Sequence, residues 1–575
     1  MSDKPQGYFF GKAKGPSAGA AHLRLSTLLA SALKEQAVET VFTLAGGHSA
    51  SLLNSMDEVG IRLIDARHEG AAAQMAQGWA LTTGQPGVVV VTAGAGFTNA
   101  VTALADAWMG GIPLLMLGGR TALARQGRGA IQDIDQAAIA ATVTKFSGSL
   151  AKEQMVALDQ VVGAHSACRT APAGPVYLDL PADILRSVVM DDLQLPVATP
   201  SARPEPDSTA VAAALDLLRS AERPLLLVGS GAHWSGAGPT LVRFAESTSI
   251  PTTTTSAARG LIPDSHPCSL GGLVHGGLAM QMADVVVVVG SRFNGNLLFG
   301  GAPLFSAEQR IIQIDVDPQA RDFNRAAEVF LQGDALATLE ILDQRCSGMF
   351  GRDWLAQARS AVAASQEMWA ADVGSAVLEP GTMHPAAIGM AVDRCLGDRP
   401  ATVVIDGGDV LAWNLAFVRA ELPGSLLTTS TSLGTLGVGM PFACAASAAH
   451  RERKTVLITG DGSFGLSAME IDTAVRHGLD ITVLVANNGC WGDVRNEQQL
   501  WFGPGREVAC LLDGSRYDLL ATSLGARGLR VNQPEDLDRT LAQALEARGV
   551  TVIDVKTDWR PQSQMLQAIA QTGIM

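Results

Sequence analysis

The sequence predicts an α/β protein of three doubly wound domains, each a parallel sheet with helices on both faces. Three observations lead there. Short apolar, β-branched runs alternate with helix-like segments along most of the chain, the pattern of buried parallel strands and their crossover helices. A length of 575 residues accommodates three or four domains of roughly 150 residues. A hydrophobic fraction of 47% against a charged fraction of 17% suits large buried cores, or an oligomer that hides further surface.

The first block, 20–188, carries the strand candidates VFTLAG, LIDARH, GVVVVTAG and PLLMLGG. The Pro-rich stretch 193–208 then reads as a linker. A second block, 209–345, carries PLLLVGSG, VVVVVGSR and IIQIDVDP, and a less ordered helical stretch follows at 350–380. The third block, 381–557, carries ATVVIDGG, TVLITGDG and ITVLVANN. The tail, 558–575, is amphipathic enough for a short closing helix and a possible lid. The first and third blocks look alike in pattern though not in residues.

A net charge of −14 and the lack of any Lys/Arg run argue against nucleic acid as a partner. Seven cysteines, odd in number and without a CxxC pair, fit a reducing compartment with neither a disulfide framework nor a zinc site. The N-terminus lacks an apolar signal core, and runs such as VVVVVG are too short to span a bilayer. The expectation is a cytoplasmic protein without a membrane partner.

The most informative segment is 458–492, ITGDGSFGLSAMEIDTAVRHGLDITVLVANNGCWG. One strand ends at Gly460-Asp461-Gly462 and a second at Asn487-Asn488, with 24 residues between Gly462 and Asn487. Both ends lie at the carboxyl edge of a parallel sheet, where such folds bind ligands. The residue types suit a diphosphate held through Mg²⁺, a hard cation that takes oxygen ligands and bridges phosphates. Asp461 offers a carboxylate, Asn488 an amide oxygen and Cys490 a backbone carbonyl. Gly460, Gly462 and Ser463 let backbone N–H groups approach phosphate at a helix start. A GDG turn alone is common; the paired NN at the second strand end is what distinguishes the segment.

This pairing resembles the signature of the thiamine diphosphate-dependent enzymes, and the resemblance extends from about residue 25 to 560. It implies a pyrimidine-binding domain at 20–188, a middle domain at 209–345 and a diphosphate-binding domain at 381–557. It also implies a catalytic glutamate opening a small-residue helix in the first domain. LIDARHEGAAAQMAQGWA places Glu69 there, with Arg67 and His68 left as structural. In the family this carboxyl bonds the aminopyrimidine ring of a cofactor bound by a second subunit, so that the ring can deprotonate thiazolium C2. A homodimer is then the minimum, and a tetramer is usual. The family also bends its cofactor over an apolar side chain in a Gly-rich stretch. TSLGTLGVGMPFACAASAA offers Leu436 as that wedge, with Gly434 beside the aminopyrimidine. Gly408 and Trp491 complete the implied cofactor set.

Within the family, LAGGHSASLLN, TAGAGFTNAVTALADAW, IQDIDQAAIAATVTKF and NNGCWGDVRNEQQLWFGPGR look closest to benzaldehyde lyase and bacterial 2-hydroxyacyl-CoA lyases. That group has a histidine 21 residues before the glutamate and a glutamine 63 after it, here His48 and Gln132. Gln132 would hydrogen-bond the substrate oxygen, and His48 would move the hydroxyl proton. Two departures point from benzaldehyde lyase toward the CoA-using group. Ser430 stands where benzaldehyde lyase has a second histidine, and Asp493 where it has a small apolar residue. The middle block has no GxGxxG, but Gly229 and the strand-ending Asp315 resemble the ADP site of CoA-using members, whereas acetohydroxyacid synthases hold FAD there. Arg259 matches a loop that could meet a CoA phosphate.

The function expected is a lyase that splits a 2-hydroxyacyl-CoA into formyl-CoA and an aldehyde or ketone, with thiamine diphosphate, Mg²⁺ and ADP as ligands. The alternatives are a benzaldehyde lyase-like carboligase, an acetohydroxyacid synthase, an oxalyl-CoA decarboxylase and, outside enzymes, a nucleotide-binding regulator on the same fold.

Overall fold

The structure is a computed structural model and describes residues 23–189, 193–197, 202–346, 348, 350, 352–428, 432–512, 514–563 and 567. Residues 1–22, linker residues 198–201, Ser430 and nearly all of the expected tail helix lie outside the described residues.

Among the described residues, three six-stranded sheets account for the 18 strands, and every pairing within them is parallel. The first runs Arg62–Asp65, Thr40–Thr43, Gly87–Val91, Leu114–Arg120, Val176–Pro181, Phe146–Ser149 in spatial order. The third has the same sequential order, from Leu426–Thr428 and Ala401–Asp406 through Lys454–Gly460 and Ile481–Asn487 to Val550–Lys556 and Arg527–Val531. The shared pattern of the first and third blocks is thus a shared topology, 2-1-3-4-6-5. The middle sheet, by contrast, runs 6-5-4-1-2-3, with Pro224–Val228 beside Val285–Val289 at its centre. Central strands such as Gly87–Val91 and Val285–Val289 are buried at every position, as strands covered on both faces must be.

The first and third sheets share one core. The helix Glu69–Thr83 is rich in alanine and glycine, and this lets it approach the helix Gly439–Ala449 closely. A Cβ on Gly78 would stand 2.9 Å from Phe442 Cα. Polar contacts rim this seam: Glu470 accepts from the Arg67 N–H at 3.1 Å, and Arg476 pairs with Asp65 at 2.7 Å. The stretch expected to be less ordered, 350–380, instead holds one 24-residue helix, Arg352–Ser375. Trp354, Ala358, Ser365 and Trp369 recur every turn or two and bury one stripe of it, and helical spacing of that kind is enough to order the segment. Among the described residues, no helix is long and apolar enough to cross a membrane.

Candidate active site

The candidate residues gather at the carboxyl edges of the sheets, in three places set by strand order. In the third sheet the order reverses between Ala401–Asp406 and Lys454–Gly460, and doubly wound folds open a crevice at such a point. The strand ends there touch. A Cβ on Gly407, whose φ is +132°, would lie 3.5 Å from Gly460 N and 3.6 Å from Ser463 Oγ. Gly462 abuts the Trp491 ring, and a Cβ on it would stand 2.6 Å away. Gly437, just after Leu436, faces Ser463 and Leu466. Gly408, Gly460, Gly462, Ser463 and Trp491 are therefore neighbours, with half-buried Leu436 and exposed Gly434 (φ +68°) on the adjoining loop.

Asp461 opens the helix Asp461–Ser467 and is 2% exposed. Its carboxylate accepts N–H bonds from Gly462 (3.0 Å) and Gly489 (2.9 Å), and the Tyr517 hydroxyl donates to its backbone carbonyl (3.0 Å). No salt bridge among the described residues reaches it, and burial, followed by smaller influences that include the charge of Asp554, leaves its pKa at about 7. A buried carboxylate without a counter-charge is costly unless paired. A divalent cation would supply that charge, so the donor set fits Mg²⁺. Asn488 Oδ1 accepts from the Cys490 N–H at 3.1 Å, which folds the second turn toward Asp461. Among the described residues no three His, Cys, Asp or Glu side chains converge as a metal cluster. A cation here would draw its remaining ligands from a bound diphosphate or water.

Asp493 lies across the crevice from this turn. Its carboxyl packs on Gly408, where a Cβ would come within 2.5 Å of Oδ2. Burial, then the charge of Glu497, lifts its pKa to about 6. Asp409, which the sequence did not single out, sits beside it at 5% exposure, its pKa pushed well above the carboxylate range by burial and by Asp493. Ser563 and the Trp413 side chain hydrogen-bond Asp409, so residues at the start of the tail cover this corner. Trp559 extends that cover, with the Arg495 guanidinium 3.7 Å above its ring.

The first sheet carries the second group. Glu69 begins its helix behind the capping residue His68 and is 8% exposed among buried Ala71, Ala72 and Ala73. Asn99 Nδ2 donates to Glu69 Oε2 at 3.0 Å. A Cβ on Gly96 would stand 3.4 Å from Oε1, so glycine there keeps the other oxygen uncovered. Asn99 is a further residue that sequence reasoning missed; its only signal is its place near the start of the helix Ala95–Gly110. His48 and Gln132 come together beside the Thr92–Gly96 turn. Burial and then the charge of Arg186 lower the His48 pKa, against an opposing hydrogen bond from Gln132, which favours the neutral ring. Gln132 takes the left-handed conformation, φ +63°, unusual for a side chain of its kind and often a sign of function. No hydrogen bond among the described residues joins this group to the 460–493 group.

The third place is the middle sheet. Gly229 and Gly290 meet at its central switch point, where a Cβ on Gly229 would be 2.5 Å from Gly290 O. Asp315 ends its strand with its pKa raised to about 6, chiefly by burial. Gly290 and Asp315 border a cavity of about 1110 Å³ that also reaches Arg259 and, at the third sheet, Leu411, Leu415, Thr428 and Ser432. Arg259 pairs with Asp264 and donates from the same Nη2 to the Val418 carbonyl at 3.1 Å, so it acts as a strut between layers, while among the described residues its Nε has no hydrogen-bond partner.

Comparison with known proteins agrees with this geometry. Three sequence families match: thiamine pyrophosphate enzyme N-terminal TPP binding domain at 23–139, central domain at 211–342 and C-terminal TPP binding domain at 406–555. The chain is 35% identical over 546 residues to a probable acetolactate synthase of Mycobacterium bovis, covering 94% of this chain and 97% of that one. It is 31% identical over 540 residues to 2-hydroxyacyl-CoA lyase 1 of Mus musculus, covering 90% and 91%. It is also 30% identical over 536 residues to the acetolactate synthase isozyme 2 large subunit of Escherichia coli, covering 92% and 94%.

Proposed function

Because this chain belongs to the thiamine pyrophosphate enzyme family, we propose that it is a 2-hydroxyacyl-CoA lyase releasing formyl-CoA and an aldehyde or ketone. The observation that carries the substrate assignment is the carboxyl of Asp493, lodged against Gly408 with a pKa near 6, able to give and take a proton beside the cofactor crevice. The long cavity supports it, since one space connects the nucleotide-type switch point to Leu411 and Ser432. A CoA thioester would occupy the end toward Leu411 and Ser432, leaving the switch point of the middle sheet to ADP, and its remote handle would help position the reacting end.

When bound, thiamine diphosphate supplies a nucleophilic carbon and an electron sink for C–C cleavage. Asp461, Asn488 and the Cys490 carbonyl would hold it through Mg²⁺, with Gly460, Gly462 and Ser463 beside the diphosphate, and Gly408, Gly434, Leu436 and Trp491 along the rings. Glu69 holds a proton at the aminopyrimidine ring, its Oε2 fixed by Asn99. Neutral His48 accepts the substrate hydroxyl proton while Gln132 orients the oxygen. The C1–C2 bond breaks, the carbonyl product leaves, and Asp493 returns a proton to C1. Among the described residues, no hydrogen bond joins Glu69 to the metal-side residues Asp461, Asn488 and Cys490. This supports a homodimer in which each copy completes the other's site, and two such dimers would make a tetramer. Gly229 and Asp315 are assigned to ADP.

A second reading, an acetolactate synthase, is favoured by the mycobacterial relative at 35% identity. Comparing kcat/KM for 2-hydroxyisobutyryl-CoA, a long-chain 2-hydroxyacyl-CoA and benzoin tests the primary reading. A thioester should be the best substrate. Preference for benzoin would replace the proposal with a benzaldehyde lyase-like carboligase.

A further inference from the structure

Two glycines back the two residues assigned to the substrate hydroxyl, Gly119 near the end of the strand Leu114–Arg120 and Gly94 just before the helix Ala95–Gly110. Gly119 backs onto His48, where a Cβ would come 2.8 Å from His48 Cβ. Gly94 backs onto Gln132, where a Cβ would come 2.8 Å from Gln132 Cβ and 2.9 Å from its Cα. Each glycine is the floor beneath one of the pair, and Gln132 stands on its floor in a left-handed backbone that something must hold.

Gln136, fully buried, joins the two floors. Its Oε1 accepts from Gly94 N at 2.7 Å, and its Nε2 lies 3.1 Å from Gly119 O. The same Nε2 is 2.7 Å from the Tyr177 hydroxyl and 2.8 Å from Asp179 Oδ1, and Tyr177 donates to that oxygen at 2.6 Å. Gly118 makes room, since a Cβ there would lie 2.1 Å from the Tyr177 hydroxyl. Arg120 closes the set, 3.4 Å from Asp179 and 3.6 Å from Asp133, the residue after Gln132. A connected buried polar network of this kind fixes a single geometry, and removing one member leaves buried partners unpaired.

We infer that Gln136 is a positioning residue that sets the separation of His48 and Gln132, and so the placement of the substrate's 2-hydroxyl group. The inference rests on the roles given to His48 and Gln132 above. Gln136 touches neither side chain; it acts through Gly94 and Gly119. A misplacement of about 1 Å at a reacting group costs roughly 100-fold in rate.

Two variants of Gln136 test this in the full-length protein loaded with thiamine diphosphate and Mg²⁺. Gln136→Met keeps the volume and removes the bonds. It should lower kcat/KM for a 2-hydroxyacyl-CoA by about 10- to 100-fold, mostly in kcat. Exchange of the cofactor C2 proton, which depends on Glu69, should stay within twofold of wild type, whereas general damage to the fold would slow both. Gln136→Glu adds a pH signature. The introduced carboxyl would face Asp179, with Tyr177, Arg120, Asp133 and Asp135 around it. Protonated, it donates to Asp179 and still accepts from Gly94; ionised, it repels Asp179. Turnover of Gln136→Glu should therefore recover as pH falls, relative to wild type. Wild-type kcat/KM in Gln136→Met, equal loss of exchange and turnover, or no such pH limb would overturn the inference. Loss of turnover in His48→Ala and Gln132→Ala without loss in Gln136→Met sinks this linkage alone. Full turnover in those two variants sinks the underlying reading and the linkage together.

Discussion

Gly96→Ala should slow cofactor activation without releasing the cofactor. The new Cβ would lie 2.7 Å from Thr92 Cγ2 and 3.4 Å from Glu69 Oε1. Ordinary carbon contacts need about 3.5–4.0 Å, so either Thr92 or the first turn of the helix Ala95–Gly110 must move by about 1 Å. The next residue past that turn, Asn99, holds Glu69 Oε2 at 3.0 Å, so the shift passes to the carboxyl proposed to activate the cofactor. Misplacement on this scale predicts about a 100-fold loss in turnover, and overpacking a tight site costs about 1–3 kcal/mol of stability. The assay is hydrogen–deuterium exchange at cofactor C2, quenched in acid and read by NMR at saturating thiamine diphosphate, beside steady-state turnover. Exchange and turnover should fall together while calorimetric cofactor affinity holds. Gly163→Ala is the control. Gly163 lies in the helix Gln154–Arg169 with nothing within 4 Å of a Cβ, so alanine should be neutral or stabilise by about 0.4–1 kcal/mol. Exchange within threefold of wild type in Gly96→Ala would refute the role given to Glu69 and its surroundings.

Other outcomes follow from the same geometry. Asp461→Ala should abolish Mg²⁺-dependent retention of thiamine diphosphate, read by titration calorimetry; unchanged affinity would contradict the metal assignment. Asp493 has its folded pKa raised to about 6, so it is protonated below that pH and loses its donor proton above it. Cleavage that needs this proton should decline as pH rises through about 6, and Asp493→Asn should lack that limb of the pH profile. The middle sheet should bind ADP, with the protein colourless as purified. A flavin spectrum would point to the synthase reading instead.

Much of this architecture was legible because it rests on local rules. Runs such as GVVVV and VVVVV, with no polar face, can only be strands covered on both sides, and they lie at the sheet centres. The strand-ending glycines were legible for a related reason: Gly460 and Gly462 mark where chain must pass close to chain. His48 and Gln132 were singled out by resemblance to the benzaldehyde lyase group, and in the fold the two side chains lie beside each other. Other features depend on contacts between distant segments, which no local pattern records. Asn99 matters because it reaches back to Glu69, 30 residues away, and Asp409 because residues near the end of the chain fold over it. Arg259 was matched in sequence to a loop that could meet a CoA phosphate; only the packed layers show its Nη2 bonded to Asp264 and Val418. The helix Arg352–Ser375 was underestimated because its apolar stripe is thin, and the middle sheet beneath it supplies the order.

The central claim is the substrate, and one side-by-side measurement addresses it most directly. The purified protein, supplied with thiamine diphosphate and Mg²⁺, is offered 2-hydroxyisobutyryl-CoA in one vessel and pyruvate in another. Formyl-CoA and acetolactate are quantified by mass spectrometry over the same time course. The account predicts formyl-CoA from the thioester at a rate far above any acetolactate from pyruvate, and loss of that formyl-CoA in Asp493→Asn. Acetolactate as the dominant product, with the thioester left intact, would contradict it.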